Sequence, residues 1–188
     1  VINWVHRSTR GWSYGSSVTD PRAGEIIKGV VSLGSLRVRQ DYLLAEGLLA
    51  PYETGDEVPP ELAKWALDRI RQLSAHEIGH TIGVAHNYYK SSAGRISVMD
   101  YPHPLITLRG DGSFDFSEVY DLGIGEWDKV AVTWGYQHFP AGVDEAAELE
   151  RIIREAEARD LYFFTNQDLA IHARAHQWTN GVDAAAEL

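Results

Sequence analysis

Between Glu61 and Ile82 the chain reads ELAKWALDRIRQLSAHEIGHTI, and Leu62, Trp65, Ala66, Ile70 and Leu73 recur in it at helical spacing. Pro59 and Pro60 stand where the first turn of a helix tolerates proline, so the pattern predicts one long, well-anchored helix running to about Ile82. Its last turns carry the chemistry. His76 and His80 are four positions apart, so both imidazoles project from one helical face about a turn from each other, as two ligands of one small cation require. Glu77, beside the first ligand, can reach a water on that cation without binding the cation itself, which is the place of a general base. A third protein ligand is needed if the fourth position is to stay open. Gly83 supplies the means: three residues past His80, it can adopt a left-handed conformation, end the helix and turn His86 back toward the metal. The inferred site is three neutral histidines and one water. An isolated H-E-x-x-H arises by chance on amphipathic helices, but the glycine and third histidine in register leave little room for coincidence.

Composition narrows the metal. The 188 residues include no cysteine, so there is no disulfide and no thiolate ligand, and any transition-metal site is built from His, Asp and Glu. Three imidazoles with an open position suit Zn²⁺, while the carboxylate facial triad expected for non-haem iron is absent. The length corresponds to about one domain, or a domain with a smaller lobe, and 44% hydrophobic residues support a proper core. A formal charge of −10 argues against a nucleic-acid partner, which calls for a basic face. No apolar run reaches the roughly 20 residues that span a bilayer, and no secretory leader opens the chain. The first residue is Val1 and the chain starts at once on a strand-like segment, which favours a piece of a larger protein with flanking domains.

VINWVHR, Val1 to Arg7, alternates as a half-buried strand does, and GWSYGSSVTDPRAGE reads as a loop punctuated by Gly, Ser and Asp-Pro. A second strand is expected in IIKGVVSLG, Ile26 to Gly34. From Ser35 to Leu49, Leu36, Leu43, Leu44 and Leu48 suit a moderately amphipathic helix, ended by the Pro51 to Pro60 stretch. Tyr88 to Gly112 reads mostly as loop. Trp127 to Phe139 is a further helix, and Asp144 N-caps a last one whose buried stripe is Leu149, Ile152, Ile153 and Ala156. The tail from Thr165 is ambiguous.

Met99, in ISVMDYP, is the one methionine of the chain. By itself it supports only a packing role. Together, H-E-x-x-H-x-x-G-x-x-H and a following methionine turn resemble the metzincin zinc endopeptidases, and SVMDY resembles their Met-turn. The resemblance implies that Met99 forms a hydrophobic floor beneath the three histidines. Astacin-like and serralysin-like members carry a tyrosine two positions after the methionine, which binds the metal at rest and swings away to stabilise the oxyanion. Tyr101 matches that position, and its alternative role is a turn tyrosine stacked on Pro102.

WVHRSTRGWSYGSSVTDPRAGEIIKG, SLRVRQDYL and SVMDYPHP extend the likeness to large bacterial zinc-dependent metalloproteases with a metzincin-like catalytic domain, over most of the chain. That resemblance implies an α+β fold: a small mixed sheet, an active-site helix and a mainly helical C-terminal lobe. Residues 1–83 would form the upper lobe and 84–188 the lower lobe of a single catalytic domain. Metzincins carry a strand, a helix and a second strand before the INWV-like strand, and this chain starts after them, so a shortened upper lobe is expected. The resemblance further implies an extracytoplasmic location in a bacterium. It makes IIKGVVSLG, with Ile27, Gly29, Val31 and Leu33, the edge strand that pairs antiparallel with an extended peptide substrate.

The expected activity is hydrolysis of peptide bonds by a zinc-activated water with Glu77 as general base. The alternative is a binding or scaffolding module that keeps the zinc site but not the peptidase activity. Retention of Glu77 favours the enzyme, since a structural site has no need of a base. Weaker constellations have two readings each. DGSFDFSE, Asp111 to Glu118, has the carboxylates for a Ca²⁺ loop but not the EF-hand glycine spacing, and otherwise is a solvated turn. Asp168, His172 and His176 stand at four-residue intervals, a second metal site or a hydrated helix face. His103 either assists near the cleft or lies on the surface between two prolines, and His6 and His138 belong to no constellation. Trp12 and Tyr14 line a substrate subsite or pack in the core.

Overall fold

Strand β3 (Ile26–Gly34) organises the first part of the chain. It pairs parallel with β1 (Ile2–Val5), from Ile2 opposite Val31 to Val5 opposite Gly34, and antiparallel with β2 (Tyr14–Thr19), from Tyr14 opposite Ser32 to Thr19 opposite Ile26. The structure is a computed structural model describing residues 1–7, 12–49, 59–90, 94–101 and 104–168. The sheet order is β1-β3-β2, which corrects the edge-strand assignment of Ile27, Gly29, Val31 and Leu33. They belong to the central strand, whose main chain is engaged by β2 along most of its length and by β1 at its end. Val31 and Leu33 point into the core at 3% and 7% exposure.

Strand β2 corrects a second expectation, because it lies within the segment read as loop. Its inward positions are Gly15 and Ser17, where apolar residues would have announced a strand. The reason is close packing on the helix beneath. A Cβ built on Gly15 would lie 2.0 Å from the Glu77 carbonyl oxygen, and one on Gly29 would lie 2.9 Å from Thr81 Cβ. Only a strand without side chains at those points can approach the helix so nearly.

That helix, α2 (Pro60–Thr81), spans 22 residues behind a Pro59 in extended conformation, as the proline placement predicts. Leu62, Trp65 and Ala66 are buried, and Leu73 packs with Val31 and Leu33 under the sheet. Helix α1 (Ser35–Leu49) has the expected bounds but not the expected face. Leu43, Leu44 and Leu48 are exposed, while Asp41 and Ala45 are buried against α2. Asp41 is tolerated there because its Oδ1 accepts hydrogen bonds from Trp65 Nε1 at 3.2 Å and the Tyr120 hydroxyl at 2.5 Å.

Two apolar clusters complete the core. One joins Ala45, Leu62 and Trp65 to Phe116, Val119 and Tyr120. It follows a short hairpin of β4 (Thr107–Leu108) and β5 (Phe114–Asp115), the first strand of which falls in the stretch read as loop. The other gathers Trp127 and Val130 of α3 (Glu126–Tyr136) with Ile152 and Ala156 of α4 (Glu145–Ala158) and Leu161. Asp144 caps α4 as expected, accepting the Ala147 N–H at 3.1 Å. Among the described residues, small sheets and four helices make the fold mixed α+β. No helix among the described residues is long and apolar enough to cross a membrane.

Candidate metal centre

Helix α2 ends where its glycine ends it. Gly83 has φ +85°, and the N–H groups of Gly83 and Val84 close the last turn on the carbonyls of His80 and Gly79 at 3.1 and 3.0 Å. The same turn brings the Val84 carbonyl to His80, whose Nδ1 donates to it at 2.9 Å. His76 Nδ1 donates to the Val98 carbonyl at 2.8 Å, and His86 Nδ1 donates to Asn166 Oδ1 at 3.2 Å. Each Nδ1 facing a carbonyl oxygen assigns the proton there and leaves each Nε2 a lone pair.

The three rings present ligand atoms within 4.8 Å of one another, the one group of that kind among the described residues. His80 Nε2 and His86 Nε2 lie 3.1 Å apart. Two lone pairs at that separation repel unless a cation lies between them. The edge of a tetrahedron with Zn–N bonds of 2.0–2.1 Å is about 3.4 Å, so the His80–His86 pair is near zinc spacing and the donor set fits zinc in number and type. Burial, first, pushes His76 down to about 3, which keeps the ring neutral and ready to ligate.

Glu77 projects beside the triad and is 4% exposed. Burial pushes its carboxyl up to about 7, opposed by the Gly15 N–H that donates to it and by the positive charge of Arg69. A carboxyl poised there exchanges a proton near neutral pH. Gly15 therefore has two roles: it lets β2 approach α2, and its amide holds the carboxylate.

Met99 is 1% exposed, with its sulfur against α2 at Gly79, the helix position between His76 and His80. The turn around it is pinned by Asp128 of α3. That carboxylate accepts from the Ser97 hydroxyl at 2.5 Å, the Val98 N–H at 2.6 Å and the Gly125 N–H at 2.6 Å. One peptide unit further, the Val98 carbonyl orients His76, so α3 supports the first ligand through the backbone. Tyr101 leaves this turn with its ring stacked on His76 at 5.7 Å and its hydroxyl 3.1 Å from His86 Nε2. The hydroxyl thus lies inside the histidine group.

The structure brings His76, Glu77, His80, Gly83, His86, Met99 and Tyr101 to one place. Asn166, Asp128, Gly15 and Gly79 join them and were not foreseen. Gly79 had a signal, a helix-weakening residue inside the best helix of the chain. Asn166 and Asp128 had none, since each acts on a residue far away in sequence. Of the weaker candidates, His103, His172 and His176 lie outside the described residues. His6 and His138 are exposed, and Asp168 accepts the Thr165 N–H at 2.9 Å. Asp111 holds Ser113 and Asp115 holds Ser117 and Arg109, so these carboxylates close their own turn.

A cleft of about 430 Å³ opens over the histidines and Glu77. Trp12 and Tyr14 line it and are 68% and 46% exposed, so they are not packed in the core. A family model described as Met-zincin matches residues 59–188, more than half of the chain. No curated protein and no solved structure matches the chain.

Proposed function

The chain belongs to the Met-zincin family, and from that premise we propose that it is a zinc-dependent endopeptidase. The observation that carries the reading is the shared arrangement of the three imidazoles: every Nδ1 is held by an oxygen, and the rings offer ligand atoms within 4.8 Å of one another beside a buried carboxyl. A purely structural zinc site has no use for that carboxyl.

His76, His80 and His86 would hold the zinc. Bound there, zinc supplies Lewis acidity, lowering the pKa of a water toward about 7 and polarising a scissile carbonyl. Glu77 takes the water's proton on its carboxylate and returns it to the leaving amine. Its environment suits both directions of transfer, because burial raises its proton affinity while the Gly15 amide and Arg69 restrain the rise. The Tyr101 hydroxyl donates to the negative charge that develops on the carbonyl oxygen. The outer strand β2, whose first residues line the cleft, offers main-chain groups to an extended peptide. An extracytoplasmic setting and flanking domains complete the reading and rest on family likeness.

Stoichiometric zinc by metal analysis, together with chelator-sensitive cleavage of a peptide library that Glu77→Gln abolishes, is the expected result. Tight zinc binding without cleavage of any peptide would overturn it in favour of a binding module.

A further inference from the structure

Tyr88 stands two residues past the third histidine and is neither a ligand nor a proton carrier of the site. Its N–H donates to the Phe164 carbonyl at 2.7 Å, and its ring lies 5.6 Å from His86 and 5.9 Å from Tyr101. At 0% exposure it cannot touch a substrate. Its hydroxyl closes no hydrogen bond among the described residues, a condition it shares there with Trp127 Nε1. Buried polar groups are nearly always paired, because an orphan bears the full cost of leaving water. An orphaned hydroxyl packed against a metal ligand therefore points to a second state of the site in which it is paired.

Its neighbours supply both ends of such a pairing. Burial, first, keeps the Tyr88 hydroxyl protonated; Tyr101 acts in the same direction, as an acceptor of its proton, and Asn166 in the opposite one, as a donor to its oxygen. Neither contact closes with hydrogen-bond geometry here. Asn166 is oriented for its part, because its Oδ1 accepts the His86 Nδ1 proton and its amide N–H groups are the side left for Tyr88. Asn166 N–H, Tyr88 O–H and Tyr101 O–H thus form a row in which each can donate to the next. The last link is held open by Tyr101 itself. Its hydroxyl lies 3.1 Å from His86 Nε2 and donates to the lone pair that a metal takes, so this contact ends when His86 ligates.

We infer that Tyr88 is a positioning residue for Tyr101: once the His86 Nε2 lone pair is committed to zinc, the Tyr88 hydroxyl donates to the Tyr101 oxygen and turns the Tyr101 proton toward the cleft that Tyr101 lines. The coupling to metal binding stands on the histidine group alone, while use of that proton on a reacting carbonyl rests on the peptidase reading. A hydroxyl that accepts one hydrogen bond donates the next more strongly. Tyr88 therefore strengthens Tyr101 as a donor to the developing oxyanion as well as aiming it.

Tyr88→Phe, Tyr101→Phe and the double variant form the test, read first by competition for zinc with a chromogenic chelator. Tyr88→Phe should weaken zinc about three- to tenfold, the worth of one hydrogen bond, and should change nothing in the Tyr101→Phe background. Without metal, Tm of Tyr88→Phe should equal or exceed that of wild type, since the hydroxyl removed has no partner in that state. On a peptide that the wild type cleaves, kcat should fall about tenfold at constant KM, with no further loss on top of Tyr101→Phe. A lower Tm without metal, or failure to fold, overturns the inference by showing that the hydroxyl serves the fold. Unchanged zinc affinity, unchanged kcat, or the same loss of zinc in both backgrounds overturns it as well. Coupling of the two tyrosines in zinc binding without cleavage by wild-type protein overturns only the peptidase reading, and cleavage without that coupling overturns only the positioning role.

Discussion

Gly79 and Met99 meet where only a hydrogen atom fits: a Cβ on Gly79 would lie 2.3 Å from the Met99 sulfur and 3.1 Å from its Cε. The glycine inside HEIGH and the methionine of the turn are thus two halves of one contact. Gly79→Ala must displace the methionine, at a cost of about 1–3 kcal/mol for overpacking. For a chain of this size each kcal/mol lowers Tm by about 2–4 °C. In a Met99→Ala background the same substitution should cost almost nothing, and a double-mutant cycle by thermal unfolding reads the difference. Additive effects would show that the two residues do not touch.

Glu77→Gln should keep zinc and lose turnover. It should also make the metal-free protein less sensitive to pH. The Glu77 carboxyl is at about 7 in the folded chain against an ordinary 4.5, so between those values the folded state binds more protons than the unfolded one. Its contribution to stability is complete below pH 4.5 and is lost as pH rises through 7. The variant should therefore melt above wild type at pH 8 without metal, and the decline in Tm from pH 5 to pH 8 should flatten. A wild-type profile indifferent to the substitution would contradict the burial of a charge at this position.

Asn166 orients His86 by accepting its Nδ1 proton. Asn166→Ala should weaken zinc about ten- to hundredfold, as loss of such outer contacts does, whereas Asn166→Asp keeps the acceptor and most of the affinity. Competition with a chromogenic chelator measures both. Chelation should also lower Tm of the wild type, and by less in Asn166→Ala.

Tyr101→Phe separates binding from chemistry. The hydroxyl lies 3.1 Å from His86 Nε2, but the three imidazoles suffice as ligands. Zinc content should stay stoichiometric while kcat falls about tenfold or more with little change in KM, the pattern of a donor used in the transition state.

The features legible in the sequence were those whose signal is local. The α2 periodicity, the eleven residues from His76 to His86 and the single methionine each lie in one short stretch, and each points where the structure places it. Strand β2 was illegible because its inner face is Gly15 and Ser17, chosen for proximity to α2 and not for apolar burial. Helix α1 misled for the complementary reason: its buried side is Asp41 and Ala45, with Asp41 held by Trp65 and Tyr120, while Leu43, Leu44 and Leu48 face out. The supporting contacts of Asn166 and Asp128 reach His86 and the Val98 backbone across 80 and 30 positions, and no spacing rule reaches so far.

Those long separations set an order of events as well as a geometry. Asn87, immediately after the third ligand and fully buried, donates to the Tyr162 carbonyl and accepts the Phe164 N–H, and His86 leans on Asn166. During synthesis, His76 and His80 can stand on a finished helix while the third imidazole still lacks its support, for as long as the ribosome has not released the stretch from Leu161 to Asn166. The three histidines are then brought together only after the stretch from Leu161 to Asn166 has been made, well after the helix that carries the first two.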